Sequence, residues 1–137
     1  MKKSNVSKNI LLYLTIFQVF VIFFIGAFIV VDFPSMLKQF GVGFQEDMGI
    51  LKIIMLYNAA LSFCVCLWSV IWIRKNNVDG IKIGTTVGLL LFIVSMMVFI
   101  QFNRVDILLF DGVRGLFMVI FGGLAYKEHQ KSKVSIA

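Results

Sequence analysis

The chain has 137 residues, of which 60% are apolar and only 15% charged, and this balance excludes an ordinary soluble domain. A membrane-spanning helix needs about 20 apolar residues, so the length allows four spans in a single membrane domain over residues 1–137 and little else. The formal net charge of +6 would suggest nucleic acid as the partner of a soluble protein. Here the basic residues flank apolar runs, where lipid head groups meet them, so we expect membrane lipid as a partner and no nucleic acid.

Four apolar runs of spanning length follow one another along the chain. The first three contain no charged residue and are apolar on every face, which excludes the alternating pattern of a membrane β-strand. The fourth contains Asp111 and Arg114, and its many Leu, Phe, Ile, Val and Met residues offset the cost of inserting these two charges. The predicted fold is an all-α membrane protein, a four-helix transmembrane bundle. We predict the spans at residues 10–31, 53–73, 83–103 and 107–126.

A stretch of about twenty residues separates the first two spans. Pro34 is placed to open a helix, because its fixed φ suits the first turn. We predict a short interfacial helix that lies flat on the outer surface or folds over the bundle as a lid formed by residues 33–44. Four apolar side chains lie near one face of this helix: Met36, Leu37, Phe40 and Phe44.

The remaining connections are short, so sequential helices should be antiparallel neighbours. Residues 76–80 form a turn-forming stretch between the second and third spans. The polar tail after Tyr126 is expected to be loose.

Basic residues lie mainly on one side of the predicted bundle. Lys and Arg near a span resist translocation, so the side with more of them faces the cytoplasm. That side includes both termini and the connection between the second and third spans. It holds Lys2, Lys3, Lys8, Arg74, Lys75, Lys82, Lys127, Lys131 and Lys133, against Lys38, Lys52 and Arg104 on the other side. We therefore predict that the N and C termini are both cytoplasmic.

Small residues recur on the last two spans. Gly84 and Gly88 form a G-x-x-x-G pattern, and four glycines line the fourth span. Such residues let helix backbones approach closely, and we favour packing within the chain over a dimer face. The four glycines of the last span are Gly112, Gly115, Gly122 and Gly123.

Asp111 and Arg114 are the first candidates for a functional site. Their spacing of three places them on one helical face, within reach of each other. Ionisable residues inside a membrane usually face the protein interior and pair with another group. The pair either fastens the fourth helix to its neighbours or contacts a ligand, and the sequence leaves both readings open.

Other polar residues fall near the same depth or toward the same outer end of the bundle. The inner half is mostly apolar by comparison. This gradient favours a water-accessible pocket in the outer half, although a hydrogen-bonded network without a ligand would give the same pattern. The further candidates for this pocket are Asn58, Ser62, Gln101 and Arg104.

We predict no enzyme, no metal site and no cofactor. Cys64 and Cys66 lie two apart on a helix and so on different faces, which excludes a shared metal or an easy disulfide. The single histidine, His129, is in the tail, and none of the common catalytic or phosphate-binding motifs is present. Asp111 beside an arginine should be held ionised, which does not suit acid–base work.

The organisation of the chain resembles small bacterial DoxX-like membrane proteins. In uncharacterised members of that family an Arg-x-x-(Ser)-x-x-x-Asp-Gly run opens the last helix and a Glu ends it. Arg104, Asp111, Gly112 and Glu128 match these positions, whereas Asp106 stands near where a serine is usual. The resemblance implies the four-helix architecture and little about activity. We expect a multi-pass protein of the cell inner (cytoplasmic) membrane.

The leading functional hypothesis is a non-enzymatic binding or accessory protein. Its outer half would engage a small lipid-like or amphiphilic ligand, or a partner membrane protein. A small transporter or channel-like oligomer is an alternative, although the inner half of one chain offers no continuous polar path. A membrane immunity or stress protein is a third hypothesis, and the sequence does not separate it from the first.

Overall fold

The computed structural model describes residues 4–39 and 48–136. These residues are almost entirely helical and contain no strand. A short π-helical turn, Leu108–Gly112, joins two of the α-helices. The α-helices are α1 (Ser4–Val31), α2 (Phe33–Gln39), α3 (Gly49–Arg74), α4 (Val78–Phe102), α5 (Val105–Ile107) and α6 (Val113–Ile136).

Four helices are long and apolar enough to cross a membrane, which confirms the predicted all-α fold and the number of spans. Each is longer than the apolar run from which it was predicted, because helices continue into the polar residues at their ends. The four candidate spans are Val6–Val31, Gly49–Arg74, Val78–Phe102 and Val105–Ser135.

The four long helices surround a common core. Helix α1 packs against α3 and α6, and α4 packs against the same two helices from the opposite corner. Ser7 on α1 donates a hydrogen bond to Glu128 on α6, and Lys8 donates one to Asn76 after α3. Both described termini and the α3–α4 turn therefore lie at one end of the bundle, called here the terminal end. The opposite end, which carries α2 and α5, is called the loop end.

Helices α4 and α6 cross at glycines, as the sequence predicted. A Cβ atom at Gly115 would lie 2.6 Å from the Gly88 carbonyl oxygen, and one at Gly88 would lie 2.9 Å from the Gly115 carbonyl oxygen. A Cβ at Gly122 would overlap the side chain of Thr85. Gly123, in contrast, has open space where its Cβ would be. The close helix contact is thus made within the chain.

The turn between α3 and α4 is shorter than predicted. Asn76 has a positive φ of 57°, and the Asn77 side chain accepts a hydrogen bond of 3.0 Å from the backbone N–H of Asp79. This cap starts α4 at Val78, so Gly80 belongs to a helix and not to a loop. Gly80 is buried, and its carbonyl oxygen accepts a hydrogen bond of 2.9 Å from Ser69.

The prediction of a loose tail after Tyr126 is wrong. Helix α6 continues without interruption to Ile136. No glycine or proline follows Tyr126, and the Lys, Glu and Gln residues there are good helix formers. Ser7 on α1 also reaches Glu128 of this segment through a long hydrogen bond of 3.5 Å.

The short helix expected after the first span is present as α2. Phe33, Met36 and Leu37 are buried and pack with Ile29 of α1 and with residues at the start of α3. Phe40 and Phe44, which complete the predicted lid over residues 33–44, lie outside the described residues. The observed contacts fasten α2 to the loop end of the bundle.

Candidate functional site

Arg114 lies at the centre of a buried polar cluster that joins α1 to α6. Its Nη2 atom donates a hydrogen bond of 2.7 Å to Asp111 Oδ1 and another of 2.6 Å to Gln18 Oε1. Only 6% of Arg114 and 7% of Gln18 are exposed. The ion pair expected from the i, i+3 spacing is therefore confirmed, and a third residue belongs to it.

Two aromatic rings cover the guanidinium group. The Arg114 Cζ atom lies 5.0 Å from the ring centroids of both Phe17 and Phe110, which contact each other edge to face. A cation over an aromatic face gains about 0.5 to 2 kcal/mol. The Nε and Nη1 atoms of Arg114 are buried without a hydrogen-bond partner in the described part of the chain. The rings and Asp111 together thus hold a full positive charge inside the bundle.

The backbone between α5 and α6, next to Arg114, is irregular. The π-helical turn Leu108–Gly112 contains Asp111 and ends just before α6, which carries Arg114. Gly112 is buried, and a Cβ atom there would lie 3.4 Å from the Cβ of Ser95 on α4. Single π-helical turns are rare in α-helices and occur often at functional sites.

Gln18 connects this buried cluster to a groove on the surface of the bundle. Its side-chain carbonyl faces Arg114, so the amide NH₂ group is the free end of the side chain. Gln18 also lines a groove of about 330 Å³ between α1, α3 and α4. Within the described residues, the Gln18 NH₂ group donates no hydrogen bond. Gln18 therefore brings a side-chain amide, held through its carbonyl by Arg114, to the lining of the groove.

The walls of the groove are apolar except for one hydroxyl group. Ser62 on α3 lines the groove and forms no hydrogen bond to any part of the chain that the structure describes. Asn58 precedes it by one helical turn on the same face and is exposed, although it does not line the groove itself. Exposed polar groups without partners are costly in hydrocarbon, so both side chains favour a bound polar group nearby.

Helix α3 is the least buried of the four candidate spans. Only 6% of its most apolar window is buried, against 28% for the first and fourth spans. A second, wholly apolar crevice of about 330 Å³ lies on its other flank, between small residues that include Gly26 and Ala59. The side chain of Ile22 lines both cavities. Space for lipid-sized groups thus exists on both sides of α3.

The other two candidates lie outside the cluster. Gln101 is exposed near the end of α4. Arg104 forms a two-pronged ion pair with Asp106, with distances of 2.9 and 2.7 Å. This hydrogen bonding to Asp106 raises the pKa of the Arg104 guanidinium above its ordinary value. Arg104 and Arg114 are ten positions apart, about 15 Å along a helix, so the structure does not bring the two arginines together.

Gln18 was absent from the candidates derived from the sequence. One signal could have suggested it: Gln18 is the only residue with a side-chain amide in the first apolar run, near the middle of that run. Arg114 lies near the middle of the fourth run. Two polar residues at the centres of two membrane helices tend to meet, because neither has another partner at that depth.

No metal-binding or disulfide chemistry adds to this site. Over residues 4–39 and 48–136, no group of three or more His, Cys, Asp or Glu side chains is arranged to hold a metal ion. Cys64 is exposed and Cys66 is buried, and both thiols are free. The polar groups of this region are the amide of Gln18, the hydroxyl of Ser62, and the ion pair of Asp111 and Arg114.

Comparison with protein-family models, with curated proteins and with solved structures gives no match to this chain. The geometry of the groove and of the cluster beneath it is therefore the evidence for function.

Proposed function

We propose that this protein binds a small amphiphilic molecule of the membrane in the groove between α1, α3 and α4, without catalysing a reaction. The observation that carries the proposal is the amide of Gln18. Arg114 holds the carbonyl of this amide, which leaves its NH₂ group free to donate, and Gln18 lines a groove whose remaining walls are apolar except for Ser62.

The chemistry of Gln18 indicates the kind of polar group that would bind. A hydrogen bond from a cation to its carbonyl polarises the amide and strengthens its NH₂ group as a donor. The hydroxyl of Ser62 adds a second hydrogen-bonding group on the wall. A ligand with an ester, carbonyl or hydroxyl oxygen fits both groups better than an ammonium, because an amide NH₂ group donates hydrogen bonds and cannot accept one.

The remaining walls suit a hydrocarbon chain. Leu61 and Val65 of α3 and Leu90 and Val94 of α4 line the groove. Between 36% and 56% of each of these four residues is exposed, so the groove opens toward lipid. Its volume of about 330 Å³ lies at the lower end of the range for small-molecule sites, which is about 300 to 1,000 Å³. Burial of apolar surface would supply most of the affinity.

The orientation and location of the protein belong to the same proposal. The excess of Lys and Arg at the terminal end supports two cytoplasmic termini in the cell inner membrane, with α2 at the outer interface. The loop-end half of α3 then lies toward the outer leaflet. The resemblance to DoxX-like proteins, based on Arg104, Asp111, Gly112 and Glu128, is kept as a hypothesis about family.

Binding is favoured over transport by the interior of the terminal half. Leu11, Ile73, Ile81 and Met118 form a packed apolar cluster there, with at most 2% of each exposed. The buried hydroxyl groups of the same half, those of Thr15 and Ser69, donate to backbone carbonyl oxygens, so within the described residues this interior offers a ligand little free polar surface. A transporter or channel-like oligomer would have to form its polar path between several copies of this chain. An accessory role in immunity or stress, in contrast, is compatible with ligand binding.

The test is to fill the groove. Ser62→Phe places a ring in it, whereas Ile53→Phe adds the same ring to an exposed face of α3 that lines none of the cavities described above. Each protein is purified in native lipid, and bound small molecules are counted by native mass spectrometry. We expect an amphiphile bound to the unaltered protein and to Ile53→Phe, and its loss from Ser62→Phe. Equal retention by both variants, or no bound molecule in the unaltered protein, would contradict the proposal.

A further inference from the structure

A second cavity lies at the terminal end of the bundle, separate from the groove. It has a volume of about 300 Å³ and is lined by side chains from α1, the α3–α4 turn, α4 and α6. Most of its lining is polar, unlike that of the groove. Its polar residues are Lys8, Asn76, Glu128, His129 and Ser132.

The two charged residues of this cavity do not neutralise each other. The Lys8 ammonium donates to the Asn76 side-chain carbonyl, and Glu128 Oε1 accepts only a long hydrogen bond of 3.5 Å from Ser7. Among the ion pairs of the described residues, none joins Lys8 to Glu128. A cation and a carboxylate therefore line the same cavity at separate positions.

The Glu128 carboxylate also has an unused oxygen. Its Oε2 atom is shielded from solvent and has no hydrogen-bond partner within the described chain. A buried carboxylate oxygen without a partner is costly, and such groups often mark the place of an absent ion or ligand. Glu128 also forms part of the cavity wall, so an unpartnered carboxylate oxygen belongs to a residue that a bound donor would meet.

We propose that the cavity binds a zwitterionic group that carries a primary ammonium and a phosphate. The ammonium would donate to Glu128, and the phosphate would accept from Lys8 and His129. Each end of the ligand would therefore face a complementary group of the cavity wall. The cavity lies at an end of the spans, where phospholipid head groups are found. Two sources carry this chemistry: the head group of phosphatidylethanolamine and free phosphoethanolamine.

The first test compares two lipids that differ only at the ammonium. The full chain is incubated with equal amounts of phosphatidylethanolamine and phosphatidylcholine, and retained lipid is counted by native mass spectrometry. The trimethylated head group has no N–H donor for Glu128. We expect a preference for phosphatidylethanolamine of about tenfold or more, the usual worth of a charge-assisted hydrogen bond. Equal retention of the two lipids, without binding of free phosphoethanolamine, would overturn the proposal.

Variants assign the preference to the cavity. Glu128→Gln should abolish the preference, and Lys8→Met should lower the retention of both lipids, because it removes a phosphate contact. Asp79→Asn is the matched control, since Asp79 is an exposed carboxylate near the same end that does not line the cavity. A preference that survives Glu128→Gln, or that Asp79→Asn removes equally, would contradict the assignment.

A steric variant covers the case in which Glu128→Gln fails to fold. Ser132 is exposed and lines the cavity, so Ser132→Leu narrows it without touching the carboxylate. It should remove binding while leaving the melting temperature unchanged.

Displacement of the lipid by free phosphoethanolamine would identify the soluble group as a sufficient ligand, and lack of displacement with retained lipid would identify the lipid. Ser62→Phe in the groove should change neither result.

Discussion

The Arg114 guanidinium and the Gln18 carboxamide, 96 positions apart in the chain, are joined by a hydrogen bond of 2.6 Å. Both side chains are more than nine-tenths buried. This contact fastens α1 to α6 near the middle of both candidate spans and leaves the NH₂ group of Gln18, a residue that lines the groove, free to donate. The same hydrogen bond thus contributes to the fold and prepares the proposed binding site.

Removing one partner of the Asp111–Arg114 pair should be worse than removing both. Arg114→Leu leaves Asp111 as an uncompensated charge inside the bundle and should cost about 3 to 5 kcal/mol of unfolding free energy. The double variant Asp111→Asn with Arg114→Leu should cost clearly less, since no lone charge remains. The unfolding free energies of the single and the double variant are measured by titrating the detergent-solubilised proteins with a denaturing detergent. Losses that simply add would show that the two residues do not interact.

Gln18 should couple energetically to Arg114. Gln18→Leu removes an acceptor from a buried donor and should cost about 1 to 3 kcal/mol. In the Arg114→Leu background the same change should cost much less, which gives a coupling energy of about 0.5 to 3 kcal/mol in a double-mutant cycle. A coupling near zero would show that the hydrogen bond contributes nothing to stability.

Much of this cluster could be predicted from the sequence, and the reasons differ by residue. Asp111 and Arg114 lie on one helix, so their spacing alone determines that they meet. The contact with Gln18 depends on how α1 is rotated against α6, and apolar residues on all sides of both runs give no signal of that rotation. The exposure of Asn58 could not be predicted for the same reason, since the sequence does not define which face of α3 turns inward.

The helix ends were predicted less well than the helices. Gly80 lies in a stretch typical of a turn, yet the Asn77 cap begins α4 before it. The polar residues after Tyr126 are compatible with a loop and with a helix, and the contact between Ser7 and Glu128 favours the helix. The first outcome depends on a local cap that the turn-like composition of residues 76–80 masks, and the second involves a contact between distant parts of the chain, which local patterns do not contain.

The crossing of α4 and α6 should tolerate a side chain at Gly123 but not at Gly115. A Cβ at Gly115 would already lie 2.6 Å from the Gly88 carbonyl oxygen, whereas Gly123 faces open space. Gly115→Leu should therefore cost more than about 3 kcal/mol, beyond ordinary overpacking, because backbone must move. Gly123→Leu is the control and should stay within about 0.5 kcal/mol of the unaltered protein. Equal melting temperatures in detergent would contradict the observed crossing.

The proposed orientation predicts a labelling pattern in intact cells. In a background with Cys64 and Cys66 replaced by serine, Arg104→Cys should react with an impermeant thiol reagent added outside. Lys75→Cys should react only after the membrane is opened, because the terminal end carries most of the Lys and Arg residues. The reverse pattern would place both termini outside the cytoplasm.

Photocrosslinking tests the central claim, ligand binding over Gln18, most directly. A monoacylglycerol with a diazirine in its chain offers the ester and hydroxyl oxygens that the groove should accept, and mass spectrometry maps the residues it labels. We predict labels concentrated on α3 near Leu61 and Val65 and on α4 near Leu90 and Val94, and their loss in Ser62→Phe but not in Ile53→Phe. Labels spread evenly over the exposed surface of α3, including Ile53 and Ile71, and unchanged by Ser62→Phe would show that the groove binds no ligand of this kind.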